Sequence, residues 1–363
     1  MPAGPRESSR LDASFSSRHN SLNAIRLMLA LIVIVSHSWP IGGYGDDPQL
    51  GDQNLGAWAV AGFFAISGYL ISASRQNSAT VTDFAVKRLL RIVPGFVAVL
   101  LVTAVAIAPV SSAMTGIPYD WASGFGYVIH NVGLVITQPS IAGTLTDVPL
   151  PGRWNGALWT IAYEALCYLV IGVLVSIVPR RFLGRTLIVL GLLGTAATTT
   201  HVVFDLASDG HFAIRGVRLL TFFFAGAVLH VYQKRVPLHA GLALAAAACL
   251  AASMFLGIFQ IVAGIPVAYL LMYLAVRLPL ARIGSRNDVS YGLYIYGFPV
   301  QQLVATALIA TPVPLPVYLA VVLVITVPCA WASWLLVERP AMRWGRGLLG
   351  RRNRTPSLVE AAR

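Results

Sequence analysis

Charge is the scarcest thing in this sequence. Asp, Glu, Lys and Arg make up only 11% of 363 residues, against about a quarter in an ordinary soluble domain. There are 14 acids and 26 basic residues, and among the latter only Lys87 and Lys234 are lysine. So few charges cannot cover a water-soluble globule of this size. Cysteine is scarce too. Cys167, Cys249 and Cys329 each lie inside an apolar run, which excludes a disulfide framework or a CxxC metal site and leaves small core hydrophobes. No GxSxG, P-loop, HExxH or GxGxxG fingerprint occurs. His130, His201 and His211 lack metal-ligand spacing, so no metal is expected.

Hydrophobic residues are abundant, at 57%, with a mean hydropathy of +0.73. Ten apolar stretches run at about 22–41, 56–74, 90–110, 155–178, 187–204, 215–233, 239–257, 259–276, 290–310 and 315–337. Each is long enough to cross a bilayer core of about 30 Å. The expected fold is an all-α polytopic integral membrane protein of about ten transmembrane helices. Residues 1–20 form an N-terminal tail, 21–340 the membrane domain and 341–363 a basic C-terminal tail. Trp39-Pro40 stands where a cleaved signal peptide would carry its A-x-A site, so the first span is retained. Within the long external connection 111–154, the stretch 124–137 reads as a helix lying at the membrane surface or dipping into it.

A net charge of +12 raises the question of nucleic acid, and sorting the charge by loop answers it. With the N-terminus inside, 22 of the 26 basic residues fall in cytoplasmic segments. The outer segments keep Arg153, Arg215 and Arg218 with Asp46, Asp47, Asp52, Asp120, Asp147, Asp205 and Asp209. This alternation follows the positive-inside rule and predicts both termini on the cytoplasmic side of the inner membrane, with lipid rather than nucleic acid as the partner.

Three sets of ionisable residues at membrane depth are not required by topology and are functional candidates on burial cost. Arg26 and His37 share one face of the first span, because eleven residues return to within about 20° and separate them by about 16 Å. The bland alternative is a snorkelling Arg26 and a His37 that ends the helix before Pro40. Arg88 and Arg91, three apart at a helix end, suit bidentate binding of a phosphorylated ligand. From that segment alone, ordinary positive-inside anchoring accounts for them, although Pro94 loosens the helix alongside. Glu164 is the only acid well inside a span. It either pairs with an outer arginine, Arg153 or Arg218, or orients and charges His37. Glu338 reads as interfacial and structural.

The chain resembles the acyltransferase-3 family of integral membrane proteins, which O-acylate polysaccharides, lipopolysaccharides and related molecules. The matching residues run in the family's order: Arg26-x10-His37, GFFAISGYLI (62–71), RLLRIVP (88–94), LWTIAYEALCY (158–168), SYGLYIYGFP (290–299) and Val337-Glu338-Arg339-Pro340. They cover nearly the whole chain. One departure stands out: where members often carry a His two residues before the span-nine proline, this sequence has Gly297, leaving Tyr291, Tyr294 or Tyr296 as substitutes.

The resemblance implies transfer of an acyl group, acetyl by default, from cytoplasmic acyl-CoA to a hydroxyl of an extracytoplasmic surface or lipid-linked glycan. Acyl-CoA is then a co-substrate and no cofactor is permanently bound. Arg26, Arg88 and Arg91 are the expected donor-binding residues, His37 and Glu164 the catalytic ones. Tyr291, Tyr294, Tyr296, Arg153 and Arg218 are the candidates to meet substrate. A neutral imidazole suits a general base, and an acyl-imidazole is the competing route. The alternative function is a transporter or flippase, which the missing internal repeat disfavours.

Overall fold

The computed structural model describes residues 9–17, 19–204 and 212–352. The charge map's Arg6, Arg18, Asp205 and Asp209, together with His211 and the tail 353–363, lie outside the described residues. A short strand β1 (Ser9–Arg10) and one turn, α1 (Leu11–Ser14), precede α2 (Leu22–Gly42). A hairpin of β2 (Gln49–Leu50) and β3 (Gln53–Asn54) leads into α3 (Leu55–Gln76) and α4 (Val81–Val102). A π-helical turn, Thr103–Ile107, joins α4 to α5 (Ala108–Thr115), and α6 (Trp121–Asn131) follows. Next come α7 (Trp159–Ile177), α8 (Arg180–Phe204), α9 (Phe212–Val231), β4 (Pro237–Leu238), α10 (Ala240–Phe255) and α11 (Phe259–Val262). The chain continues through α12 (Gly264–Arg277), α13 (Ser290–Ala307), α14 (Leu315–Ser333) and α15 (Arg339–Arg352). A second π-helical turn, Trp334–Glu338, joins the last two.

Helix ends follow local chemistry. The Asn54 side chain accepts from Ala57 N at 2.7 Å to open α3, and Thr80 accepts from Asp83 N at 3.0 Å to open α4. Gly43, at φ 80°, closes α2.

Among the described residues, seven segments are long and apolar enough to cross a membrane: Leu22–Gly42, Leu55–Gln76, Val81–Thr115, Trp159–Ile177, Arg180–His201, Ala213–Val231 and Leu315–Leu349. Exposed Leu169, Leu192 and Val324 give these helices the apolar outer face that lipid requires. The protein is a predominantly helical, multi-pass membrane protein. Three expected spans differ from the rest. α10 and α12 have only 16 and 14 residues, short of the roughly 20 needed, because the chain turns at Gly257 (φ 64°) and spends a further turn in α11. α13 is too polar to qualify, and its burial explains why: all but two of its 18 residues are buried against protein.

α13 is the central post of the bundle. Gln301 Nε2 donates to the Ile34 carbonyl (2.7 Å) and Ser38 Oγ (2.8 Å) on α2. Gln302 Nε2 donates to the carbonyls of Leu150 (2.8 Å) and Arg153 (2.9 Å), and Asn155 Nδ2 donates to Ile295 O at 2.8 Å. A buried amide left unpaired is costly, so these bonds fix the register of α13 against its neighbours. α3 packs on α9 at glycine: a Cβ on Gly68 would lie 1.9 Å from Phe223 O, and one on Gly226 equally close to Ala65 O.

Both expected tails are partly packed structure. Leu11 is fully buried, its N–H bonds Val236 O at 2.9 Å, and the Phe15 ring meets Tyr69 edge-on. At the other end, α15 extends the helix to Arg352, with Gly345 buried against Leu90 of α4. α4 begins at Val81, so Arg88 and Arg91 stand well inside it rather than at its mouth. Of the stretch 124–137, the first part is helical, as the C-terminal portion of α6, which ends at Asn131.

Candidate active site

Two cavities lie end to end in the bundle. The first, ≈ 100 Å³, is lined by Arg26, Arg88, Arg91, Glu164, Tyr168 and Tyr291, with aromatic and aliphatic side chains of α3. The second, ≈ 310 Å³, is lined by His37, Asn54, Trp159, Arg215, Arg218 and Gln260 among others. Val60 and Tyr294 belong to the walls of both. Tyr294 OH lies 2.6 Å from Thr160 Oγ1 and donates to Ala157 O at 3.1 Å, which fixes the ring in this partition. Phe63 meets the same ring edge-on at 5.7 Å.

The charged cavity is built on a four-residue network. Asp288 Oδ2 lies 2.6 Å from Arg26 NH1 and 2.6 Å from Arg91 NH2. Arg91 NH1 reaches Glu338 Oε2 at 3.5 Å, and Ser333 Oγ donates to Glu338 Oε1 at 3.1 Å. The second π-turn brings Trp334 and Glu338 to this network, since π-bulges re-aim side chains four apart. Arg91 also stands 5.8 Å from the rings of Tyr291 and Trp334. Burial alone would raise the Asp288 carboxyl. Arg26 and Arg91, with hydrogen bonds from Ser290, outweigh it and hold the group well below the usual carboxylate range.

Of the three arginines expected to bind donor, Arg26 and Arg91 are therefore already paired with carboxylates. Arg88 has no ion pair among the described residues. Its guanidinium sits 5.9 Å from the Tyr168 ring, and its Nε has no hydrogen-bond partner there.

The second cavity is organised by His37. Its Nδ1 is 3.6 Å from Asp47 Oδ1, and its ring packs edge-on against Phe298 at 5.4 Å. Ser36 Oγ donates to the same Asp47 oxygen at 2.9 Å and accepts from Gly56 N at 3.0 Å. Asp47 reaches this position because the β2–β3 hairpin folds the loop back over the end of α2. Leu55 N bonds Pro48 O, and Trp58 Nε1 bonds Leu50 O.

These positions correct several expectations. The carboxylate beside His37 is Asp47, and Glu164 instead accepts from Tyr168 OH at 2.6 Å in the charged cavity. Arg153 is exposed and lines neither cavity, whereas Arg218 lines the second and stands 3.4 Å from His201 Nδ1. Of the tyrosines, Tyr291 lines the charged cavity and donates to Ile92 O, and Tyr294 forms the partition. Tyr296 is buried away from both. The span-nine departure has a steric cause: a Cβ at Gly297 would lie 2.7 Å from Ile34 Cγ1, so α2 leaves no room for histidine. Glu338, read as interfacial, is buried in the network.

A helical bundle with an imidazole in one cavity, a buried arginine–carboxylate network beside the other and a shared wall between them is a frame for group transfer. Residues 19–335 match the acyltransferase domain that defines the acyltransferase-3 family. Over 345 residues the chain is 30% identical to an O-acetyl transferase of Shigella phage Sf6, covering 89% of this chain and 96% of that protein. It is 27% identical over 375 residues to nodulation protein 10 of Rhizobium leguminosarum bv. viciae, covering 93% and 97%. No solved structure matches it significantly. The chain belongs to the acyltransferase-3 family and is an O-acyltransferase.

Proposed function

We propose that this enzyme moves an acyl group, acetyl by default, from cytoplasmic acyl-CoA to a hydroxyl of an extracytoplasmic glycan. In this reading the termini and the Arg88 end face the cytoplasm, in the inner membrane, and the His37 cavity opens to the outside. The observation that carries it is the shared wall of Val60 and Tyr294, with Arg88 in the cavity on one side and His37, Arg215 and Arg218 in the cavity on the other. A thioester entering past Arg88 would present its carbonyl at this wall. An acceptor hydroxyl would enter beside Arg215 and Arg218.

His37 then acts as general base. With Nδ1 turned to Asp47, Nε2 is free to take the hydroxyl proton. The acceptor oxygen attacks the thioester carbonyl, the C–S bond breaks, and the proton passes to the departing thiolate, giving the ester and CoA. Asp47 holds the ring orientation. An acyl group carried briefly on Nε2 is the variant route.

The test is mass spectrometry of surface glycans from a deletion strain and its parent. Loss of an acetyl mass increment that returns with the wild-type chain, but not with His37→Ala, is expected. Identical glycans in both strains would remove the acceptor assignment.

A further inference from the structure

The charged cavity cannot seat the phosphates of a nucleotide-bearing donor. Its volume is only ≈ 100 Å³, and carboxylates already occupy Arg26 and Arg91. Unpaired positive charge lies next door. A recess of ≈ 500 Å³ is lined by Lys87, Arg88, Arg286, Arg339, Arg343 and Arg346, with Trp334 in its wall. No acid lines it. Among the described residues, Arg286, Arg339, Arg343 and Arg346 form no ion pair.

Anchoring at a membrane surface needs basic residues but not their convergence. Here they come from α4, from the loop before α13 and from α15, and they face one concavity. Six like charges so close repel one another until an anion enters. Arginine forks suit phosphate oxygens in particular. Arg88 links the two spaces, because it lines both the recess and the charged cavity and has no ion pair among the described residues. The recess therefore meets the narrow cavity at the one arginine of that cavity without an ion pair among the described residues.

We propose that this recess seats the phosphorylated nucleotide of the acyl-CoA donor, with Arg286, Arg339, Arg343 and Arg346 on its phosphates, while Arg88 meets the start of the pantetheine arm. This rests on the acyl-CoA reading above. The phosphates stay in the wide basic recess, and only the thin acyl-pantetheine chain enters the bundle. It also gives the helical extension α15 a task that membrane crossing does not require.

The test uses the full-length protein in nanodiscs of zwitterionic lipid, with adenosine 3′,5′-bisphosphate as the calorimetric probe. Labelled acetyl-CoA and acetyl-pantetheine serve as alternative donors to extracted glycan. The double variant Arg343→Gln/Arg346→Gln should bind the probe at least about tenfold more weakly, the loss expected for charge-assisted bonds. Its KM for acetyl-CoA should rise by a similar factor with kcat little changed. Its use of acetyl-pantetheine should equal that of wild type, which also shows that the variant is folded. Arg343→Lys/Arg346→Lys should recover part of the probe affinity.

Unchanged probe affinity and KM in the glutamine variant, with wild type still using acetyl-CoA, would overturn the recess and leave the acyl-CoA reading standing. A wild type that uses acetyl-pantetheine but gains nothing from the nucleotide would overturn both. If phosphatidylglycerol in the nanodisc abolishes probe binding, the recess seats lipid headgroups and the proposal fails.

Discussion

His37 Nδ1 and Asp47 Oδ1 stand 3.6 Å apart, and Ser36 Oγ, 2.9 Å from the same oxygen, fixes the carboxylate in place. The pair joins the end of α2 to the segment that leads into the β2–β3 hairpin, so the placing of the hairpin orients the imidazole. Asp47→Asn keeps the shape and removes the charge. It should lower kcat by about 10²-fold with KM for acyl-CoA nearly unchanged, the signature of a lost base orientation. Steady-state kinetics in membranes check this, and Asp47→Glu should restore part of the rate. A change confined to KM would assign Asp47 to binding.

Asp288 binds two guanidiniums with one oxygen. Asp288→Asn leaves Arg26 and Arg91 without it, and breaking a buried pair costs about 3 kcal/mol or more. A lower Tm in detergent is expected, with loss of activity. The sign of the pH effect follows from a carboxyl held below its ordinary range in the folded state. Unfolded Asp288 takes up a proton near pH 4 while the folded group stays ionised, so its contribution is full above that pH and declines as pH falls further. Wild type should lose Tm more steeply than Asp288→Asn below about pH 4. Parallel slopes would contradict the network.

Tyr294 separates the cavities, held by Thr160 and the Ala157 carbonyl. Tyr294→Ala removes most of the partition and admits water to the thioester. Acetyl-CoA hydrolysis without acceptor should rise several-fold while glycan acetylation falls. Tyr294→Phe keeps the contact with Phe63 and should hydrolyse far less. Thiol release measured with and without acceptor separates the two activities.

Gly297 is glycine because Ile34 occupies the space its Cβ would need. Gly297→Ala should destabilise by about 1–3 kcal/mol, the usual cost of overpacking. Adding Ile34→Ala should recover part of the loss. Tm values for the single and double variants check this, and additive losses would mean that the two residues do not meet.

Much of the helix pattern was legible because lipid imposes a plain rule of length and apolarity. α10, α12 and α13 escaped that rule, the first two through a tight turn and an extra helical turn, the third because protein surrounds it and accepts Gln301 and Gln302. His37, Arg26 and Arg88 could be picked out because polar groups at membrane depth are expensive. Asp47 could not. It sits in a polar outer loop among other aspartates, and only the hairpin brings it to the imidazole. Asp288 was hidden in the same way, just before a helix, and Arg215 read as loop charge. The basic recess joins Arg88 to residues 87, 286 and 339–346, whose charges in sequence satisfy orientation and nothing more. Short-range pattern carries the helices, and the cross-helix pairings that set the chemistry come only with the fold.

The central claim is that His37 performs acyl transfer across the Tyr294 partition. The most direct measurement is transfer of labelled acetyl from acetyl-CoA to extracted surface glycan by membranes holding equal amounts of wild type or His37→Ala. The account predicts robust labelling by wild type and at least about a 10²-fold lower rate for the variant, with expression and membrane insertion unchanged. Labelling by His37→Ala at close to the wild-type rate would contradict it.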